Sequence, residues 1–224
     1  MPDFVTFISL RGVSQPTLIG TLVHLMTQHG RLRLADVLSA TNRAPQGERE
    51  YGVGPGNGWG SLVCPEPFES LALDLSRLLG CYAFLFHLHD GDTWLYWFYH
   101  AGHELDRFDS LPGFWEDVPA DELNATQGNA RLLGQSLGVY PHVIAPYLAR
   151  TPVDLDDKPE DYDVVDRAME LLDTDARVYP DDRFDVWDAR VMYDFMRRLG
   201  ITPPLEANGQ PAQPLTILRF EPTP

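Results

Sequence analysis

The sequence predicts an α+β protein in which an antiparallel sheet occupies the first half of the chain and helices dominate the second half. Three observations favour this class. Strand-like and helix-like patterns alternate over residues 4–89, three aromatic strand-like runs follow one another over 82–108, and apolar side chains recur at helical spacing in the acidic second half. We expect a single α+β domain over 1–224, with a sheet-forming half at 1–118 and a mainly helical extension at 119–224.

The first half has the element order β-α-β-β-α-β, which is the order of a ferredoxin-like split unit. Ser14 is a helix N-cap residue with Pro16 in the following first turn, and Gly30 and Gly80 are typical helix stops. Residues 41–58 have turn composition. The glycines that alternate over 52–60 lack the spacing of a dinucleotide loop and predict a flexible loop, with a lid as the alternative. The predicted elements are strand 4–10, helix 14–30, strand 31–38, strand 59–64, helix 68–80 and strand 82–89.

The aromatic runs over 82–108 predict a β-meander that extends this sheet. Asp90-Gly91 is a strong hairpin signal, and Ala101-Gly102 marks a second tight turn. If both turns have two residues, alternation divides the meander into two faces. One predicted face contains Leu85, His87, Trp94, Tyr96, Phe98, Leu105, Arg107 and Asp109; the other contains Phe84, Phe86, Leu95, Trp97, Tyr99 and Phe108.

The first of these faces is the predicted binding surface, which consists of His87, Trp94, Tyr96, Arg107 and Asp109. Aromatic area combined with a few directional polar groups is what a peptide or small-molecule site requires. In the alternative interpretation, helices cover both sides of the sheet and the rings are ordinary core. A slip of one residue in the register would exchange the faces.

Histidines at alternate positions of the strand before the first turn suggest a metal site as an alternative. His87 and His89 project to one side of a strand, and Asp92 could add a carboxylate oxygen. His100 and His103 lie about 17 Å away along the strands, at 3.4 Å per residue, and belong to no shared site. Solvated turn residues explain the same sequence, so our primary prediction includes no metal and no cofactor.

The second half is predicted to contain helices at 121–137, 141–149 and 182–199. A capping box at 157–160 opens a further predicted helix that extends to Leu172, and residues 215–221 predict a last strand. Residues 154–188 contain fourteen carboxylates and only four basic side chains. This segment therefore supplies most of the formal net charge of -16.

Composition and charge exclude several classes of protein. The pI near 4.6 disfavours nucleic acid as a partner, because phosphate binding depends on basic side chains. No apolar run is long enough to span a bilayer and the start of the chain is acidic, so we expect a cytoplasmic protein without membrane contact. The two cysteines are too few for a disulfide scaffold. Nucleophile-elbow, zincin, CxxC and EF-hand patterns do not occur in the sequence.

The meander carries a resemblance to a family. The string His-Asp-Gly-Asp-x-Trp-x-Tyr-x-x-Tyr at 89–99, followed by Gly102-x-x-x-Asp106-x-Phe108-x-Ser110-x-Pro112, resembles a bacterial family of uncharacterised cytosolic proteins. The residues 185–203 also resemble the end of that family's sequences. The resemblance implies no established activity, and it marks Asp90, Asp92, Trp94, Asp106, Phe108 and Ser110 as positions of interest.

Two functions follow as hypotheses, and the sequence does not establish that the protein is an enzyme. The first is a non-catalytic binding protein, acidic and immunity-like, whose partner is a protein that is itself basic; its oligomeric state is left open. The second is a metal-dependent or acid/base hydrolase with its site at the 87–92 turn, in which His87 or His89 acts with Asp90, Asp92 or Asp109. An RNA-binding sheet is a weaker third interpretation, because a basic surface is lacking.

Overall fold

A computed structural model describes residues 4–223 except for 29, 31, 57, 66–68, 113–118 and 151–175. Eight strands form one sheet in which every neighbouring pair is antiparallel. The α+β class is confirmed. The strands are β1 (Phe4–Arg11), β2 (Leu32–Thr41), β3 (Glu50–Gly54), β4 (Trp59–Cys64), β5 (Tyr82–His89), β6 (Thr93–His100), β7 (His103–Asp109) and β8 (Leu215–Pro222), in the spatial order β2-β8-β3-β4-β1-β5-β6-β7.

Helices cover both faces of the sheet. On one face, α1 (Gln15–Thr27) and α2 (Glu69–Leu79) pack on the even-numbered side chains of β1 and the odd-numbered ones of β5. The opposite face packs against side chains from the C-terminal helices. These are α4 (Ala130–Leu137), α5 (Pro141–Ile144), a 3-10 turn at Ala145–Leu148 and α6 (Val191–Arg198), and the short helix α3 (Ala120–Ala125) precedes them in the chain. Among the described helices, none is long and apolar enough to cross a membrane.

The predicted ferredoxin-like start is not confirmed. In that arrangement β4 would lie beside β2, but β3 and the C-terminal strand β8 lie between them. The prediction of loop structure is wrong for residues 50–54, because Glu50–Gly54 is strand β3 and is largely buried. Glycines occur in this strand because neighbours approach closely: a Cβ at Gly54 would lie 2.3 Å from the Ser61 hydroxyl.

The predicted register of the first hairpin is wrong by one residue. His89 lies opposite Thr93, and so Asp90, Gly91 and Asp92 form a three-residue turn with positive φ at the first two positions. The Asp92 amide donates to the His89 carbonyl. The second turn has the predicted two residues, since His100 lies opposite His103. A bulge between Phe98 and Tyr99 then shifts the pairing of β7 by one residue.

The helices of the second half are shorter than predicted. The predicted helix 121–137 is divided into α3 and α4 by Gly128, which has a φ of 70°. The predicted helix 182–199 begins only at Val191, because buried carboxylates hold the preceding residues in turns. The predicted last strand is confirmed as β8. The predicted helix that begins at the 157–160 capping box lies outside the described residues.

Candidate functional site

A row of buried polar side chains crosses three neighbouring strands and reaches the residue that follows a fourth. It consists of Thr6 on β1, His87 and His89 on β5, Thr93 on β6 and Ser110 after β7, and we call it the polar row. Four of its members are nearly inaccessible to solvent, and His89 is half-buried. Polar side chains are uncommon in protein cores and require hydrogen-bond partners there, so the polar row is a candidate functional site.

His87 is the centre of the polar row, with both ring nitrogens in contact with neighbours. Its Nδ1 lies 2.9 Å from the Thr6 hydroxyl, and its Nε2 lies 3.4 Å from Nδ1 of His89. Burial lowers the pKa of His87 to about 4, with a further lowering by His89 and a partial offset by a backbone hydrogen bond at Val5. His87 is therefore uncharged at neutral pH.

The other end of the polar row is a chain of hydroxyl groups that reaches a carboxylate. The Thr93 hydroxyl lies 3.0 Å from the Ser110 hydroxyl and donates to Oδ1 of Asp109 over 3.4 Å. Ser110 Oγ also accepts from the backbone amide of Trp94, which starts β6. Burial raises the pKa of Asp109, and hydrogen bonds from the Leu111 amide and from Thr93 oppose that change. These contacts fasten the end of β7 to the start of β6.

The five residues of the predicted binding surface do not lie on one face. Trp94 and Tyr96 are fully buried on the face that packs against α6, where both rings contact Phe195. His87, Arg107 and Asp109 project to the opposite face, which follows from the one-residue difference in register. The predicted joint surface is therefore not formed, because the three-residue turn shifts β6 relative to β5 and the bulge between Phe98 and Tyr99 shifts β6 relative to β7.

The motif residues Asp106, Phe108 and Ser110 have structural contacts. Oδ2 of Asp106 accepts from the Tyr96 hydroxyl at 2.7 Å and from the backbone amide of Asn129 at 2.8 Å. Asn129 is the N-cap of α4, and its side chain accepts from the Leu132 amide. Phe108 packs against the rings of Trp94 and Tyr96. The motif thus joins β6, β7 and α4.

A second buried polar network lies beside α6, and no sequence pattern predicted it. The Tyr147 hydroxyl donates to Asp182 at 2.6 Å and accepts from Nε of Arg198 at 2.9 Å. Arg198 also pairs with Asp181 and Asp182, and its guanidinium lies over the Tyr179 ring. Each of these side chains has a hydrogen-bond or ion-pair partner within the network, which is typical of a network that holds a loop against a helix.

The described residues also bear on metal binding and include a surface concavity away from the polar row. No three or more His, Cys, Asp or Glu side chains in this part of the chain are grouped to hold a metal ion, so the structure does not bring Asp92 together with His87 and His89. A shallow concavity of about 450 Å³ lies near β3 and β8, between residues 46–50 and 219–221.

The outer strand β2 exposes apolar side chains. Val37 is 45% and Leu38 is 41% exposed, and they project to opposite faces of the same edge. The Val37 amide is satisfied by the side chain of Asp36, and bulges on both sides of this stretch interrupt the pairing with β8. The other outer strand, β7, exposes Leu105 at a bulge. Both edges of the sheet are thus irregular, and β2 is the more apolar of the two.

The fold and site define an α+β protein with a helix-covered antiparallel sheet and a buried polar row. Comparisons of the chain with protein-family models, with curated proteins and with solved structures found no match. The resemblance of the meander to a bacterial family stays a prediction, and the roles of the residues rest on their geometry.

Proposed function

We propose that this protein is a non-catalytic binding protein, immunity-like and acidic, that docks a basic protein partner along the outer edge of β2. The observation that carries the proposal is the exposed apolar pair Val37 and Leu38 on that edge. An outer strand can accept an added strand from a partner, and alternate side chains then supply specificity. The bulges limit the regular stretch of β2 to a few residues, which favours a short contact.

The charge distribution supports a basic partner. At least nine arginines form ion pairs with carboxylates of the same chain, so the large excess of acidic residues has no internal counterpart. The resulting negative field attracts a basic protein and accelerates its association. Near β2 itself, Arg33 pairs with Glu221 and Arg43 pairs with Glu50. Val37 and Leu38 therefore lie between two ion pairs whose charges cancel, and the negative field of the whole chain attracts the basic partner.

The test is capture of a partner followed by association kinetics. The tag-bound protein is used to isolate a partner from a lysate of the source cells, and the association rate is measured at 50 and 300 mM salt. We expect the rate to fall steeply with salt. The double variant Val37→Thr and Leu38→Thr should weaken the affinity roughly tenfold, because part of the apolar burial is lost.

The matched control is Leu105→Thr on the opposite edge, which should leave the affinity unchanged. Salt-independent association would contradict the role of charge. Equal affinities of the wild type and the β2 double variant would contradict the role of the edge. Failure to isolate any partner would count against the binding function as a whole.

A hydrolase with its site at the 87–92 turn remains the second hypothesis, and the proximity of His87 to His89 is the observation that favours it. Two features oppose it. A general base works best with a pKa near the working pH, whereas burial lowers the pKa of His87 to about 4. The carboxylate that the polar row reaches, Asp109, is already engaged by hydrogen bonds from the Thr93 hydroxyl and the Leu111 amide. Hydrolysis of ester or phosphoester test substrates that disappears in His89→Gln would revive this function.

A further inference from the structure

We propose that His87 and His89 form a two-ligand site for a transition-metal ion of the zinc and nickel type, bound between His87 Nε2 and His89 Nδ1. The inference is independent of the proposed binding function. It differs from a three-ligand site that includes Asp92, because the structure does not group that carboxylate with the histidines. Solvent supplies the remaining coordination positions.

The distance between the two nitrogens fits this chemistry. His87 Nε2 and His89 Nδ1 are 3.4 Å apart, and the two rings are inclined by 63°. Zinc–imidazole bonds are about 2.1 Å long, so an ion equidistant from both nitrogens would have an N–metal–N angle of about 110°. This is the angle of tetrahedral coordination. Neutral imidazole is also the ligand that zinc, nickel and copper prefer among the groups present here.

The surroundings of the pair orient both rings in advance. A metal ion at Nε2 requires the tautomer of His87 with a proton on Nδ1, and in that tautomer Nδ1 donates to the Thr6 hydroxyl 2.9 Å away. A hydrogen bond from the remote nitrogen of a ligating histidine is the usual outer support of a metal site. The ring of Phe4 packs edge-on against His89 with 4.8 Å between centroids. His87 is buried and His89 is half-buried, so an ion would enter from the side of His89.

The experiment titrates tag-free protein with Zn²⁺ and, separately, with Ni²⁺, and follows binding by calorimetry and by the shift of the melting temperature. We expect one ion per chain. His89→Gln should lower the affinity at least tenfold while circular dichroism shows an unchanged fold. Thr6→Val should lower the affinity by about 10- to 100-fold through loss of the outer hydrogen bond, and Thr93→Val should not.

A second histidine pair provides the control. His100 and His103 lie directly opposite each other at the other end of β6, so they are the natural competitor for the same ions. The double variant His100→Gln and His103→Gln should retain the wild-type affinity. Loss of binding in this double variant, or unchanged binding in His89→Gln, would overturn the proposal. Absence of any binding to the wild type would overturn it as well.

Discussion

Protonation of His87 should destabilise the fold in mildly acidic solution. The imidazole is only 5% exposed, and burial lowers its pKa from 6.5 to about 4. In the unfolded chain the same group takes up a proton near pH 6.5, so the unfolded state binds more protons than the native state between the two values. The free energy of unfolding therefore has its full value above pH 6.5 and decreases as the pH falls toward 4. The difference corresponds to about 3 kcal/mol of unfolding free energy.

The measurement is urea unfolding of the wild type and of His87→Gln between pH 7.5 and 4.5. Carboxylates also titrate in this range. Burial raises the pKa of Asp106 and Asp109, so their protonation favours the native state as the pH falls, which is opposite to the effect of His87. Subtracting the unfolding free energy of His87→Gln from that of the wild type cancels the contributions of the carboxylates. We expect this difference to shrink by about 1.4 kcal/mol per pH unit below pH 6.5.

His142→Gln provides the control for a general effect of replacing a histidine by glutamine, because His142 is exposed and lies outside the core. Parallel curves for the wild type and His87→Gln from pH 7.5 to 4.5 would refute the reasoning. Where His87→Gln fails to fold, NMR titration of the wild-type imidazole decides instead. A titration midpoint of His87 near 6.5 would have the same consequence as parallel curves.

Three further predictions concern stability and reactivity. Gly54→Ala should cost about 1–3 kcal/mol in urea unfolding, because its Cβ would overlap a neighbouring serine hydroxyl, whereas Gly20→Ala in open space on α1 should stabilise by up to about 1 kcal/mol; equal effects would contradict this. Cys81 should react with a thiol reagent in the native protein while buried Cys64 should not, and two reactive thiols without denaturant would disprove it. Asp194→Asn should cost about 3 kcal/mol or more, because the fully buried carboxylate accepts two backbone amides and pairs with an arginine of α6; a loss below 1 kcal/mol would argue against this role.

Local patterns predicted those elements whose stability is mainly local or whose apolar spacing is regular. Helix α1 has its N-cap at Ser14 as expected, and the aromatic meander forms three strands. Strand β3 was not predicted, because glycine is uncommon in strands. Gly52 and Gly54 occur in this strand because Pro45, Ser61 and Leu215 lie too close for a larger side chain. The need for glycine at these positions arises from contacts with residues distant in sequence, so the local sequence pattern does not indicate it.

The register of the hairpin depended on a distinction that the sequence leaves open. An Asp-Gly pair is compatible with a two-residue or a three-residue turn, and the choice decides which face each ring of β6 occupies. His87 and His89 were identified as candidates from their alternation. Thr6 was missed, because it lies 81 residues from His87 in sequence and becomes its partner only through the pairing of β1 with β5.

The position of β8 has a consequence for synthesis of the chain. This strand is synthesised after the other described strands of the sheet, yet it lies in the sheet interior between β2 and β3. Until it arrives, β2 has no strand to pair with and β3 has an open side, so the nascent chain presents unpaired backbone to its surroundings. A chain that lacks Leu215–Pro222 would therefore leave β2 without its neighbour in the sheet, and we expect such a truncated chain to aggregate.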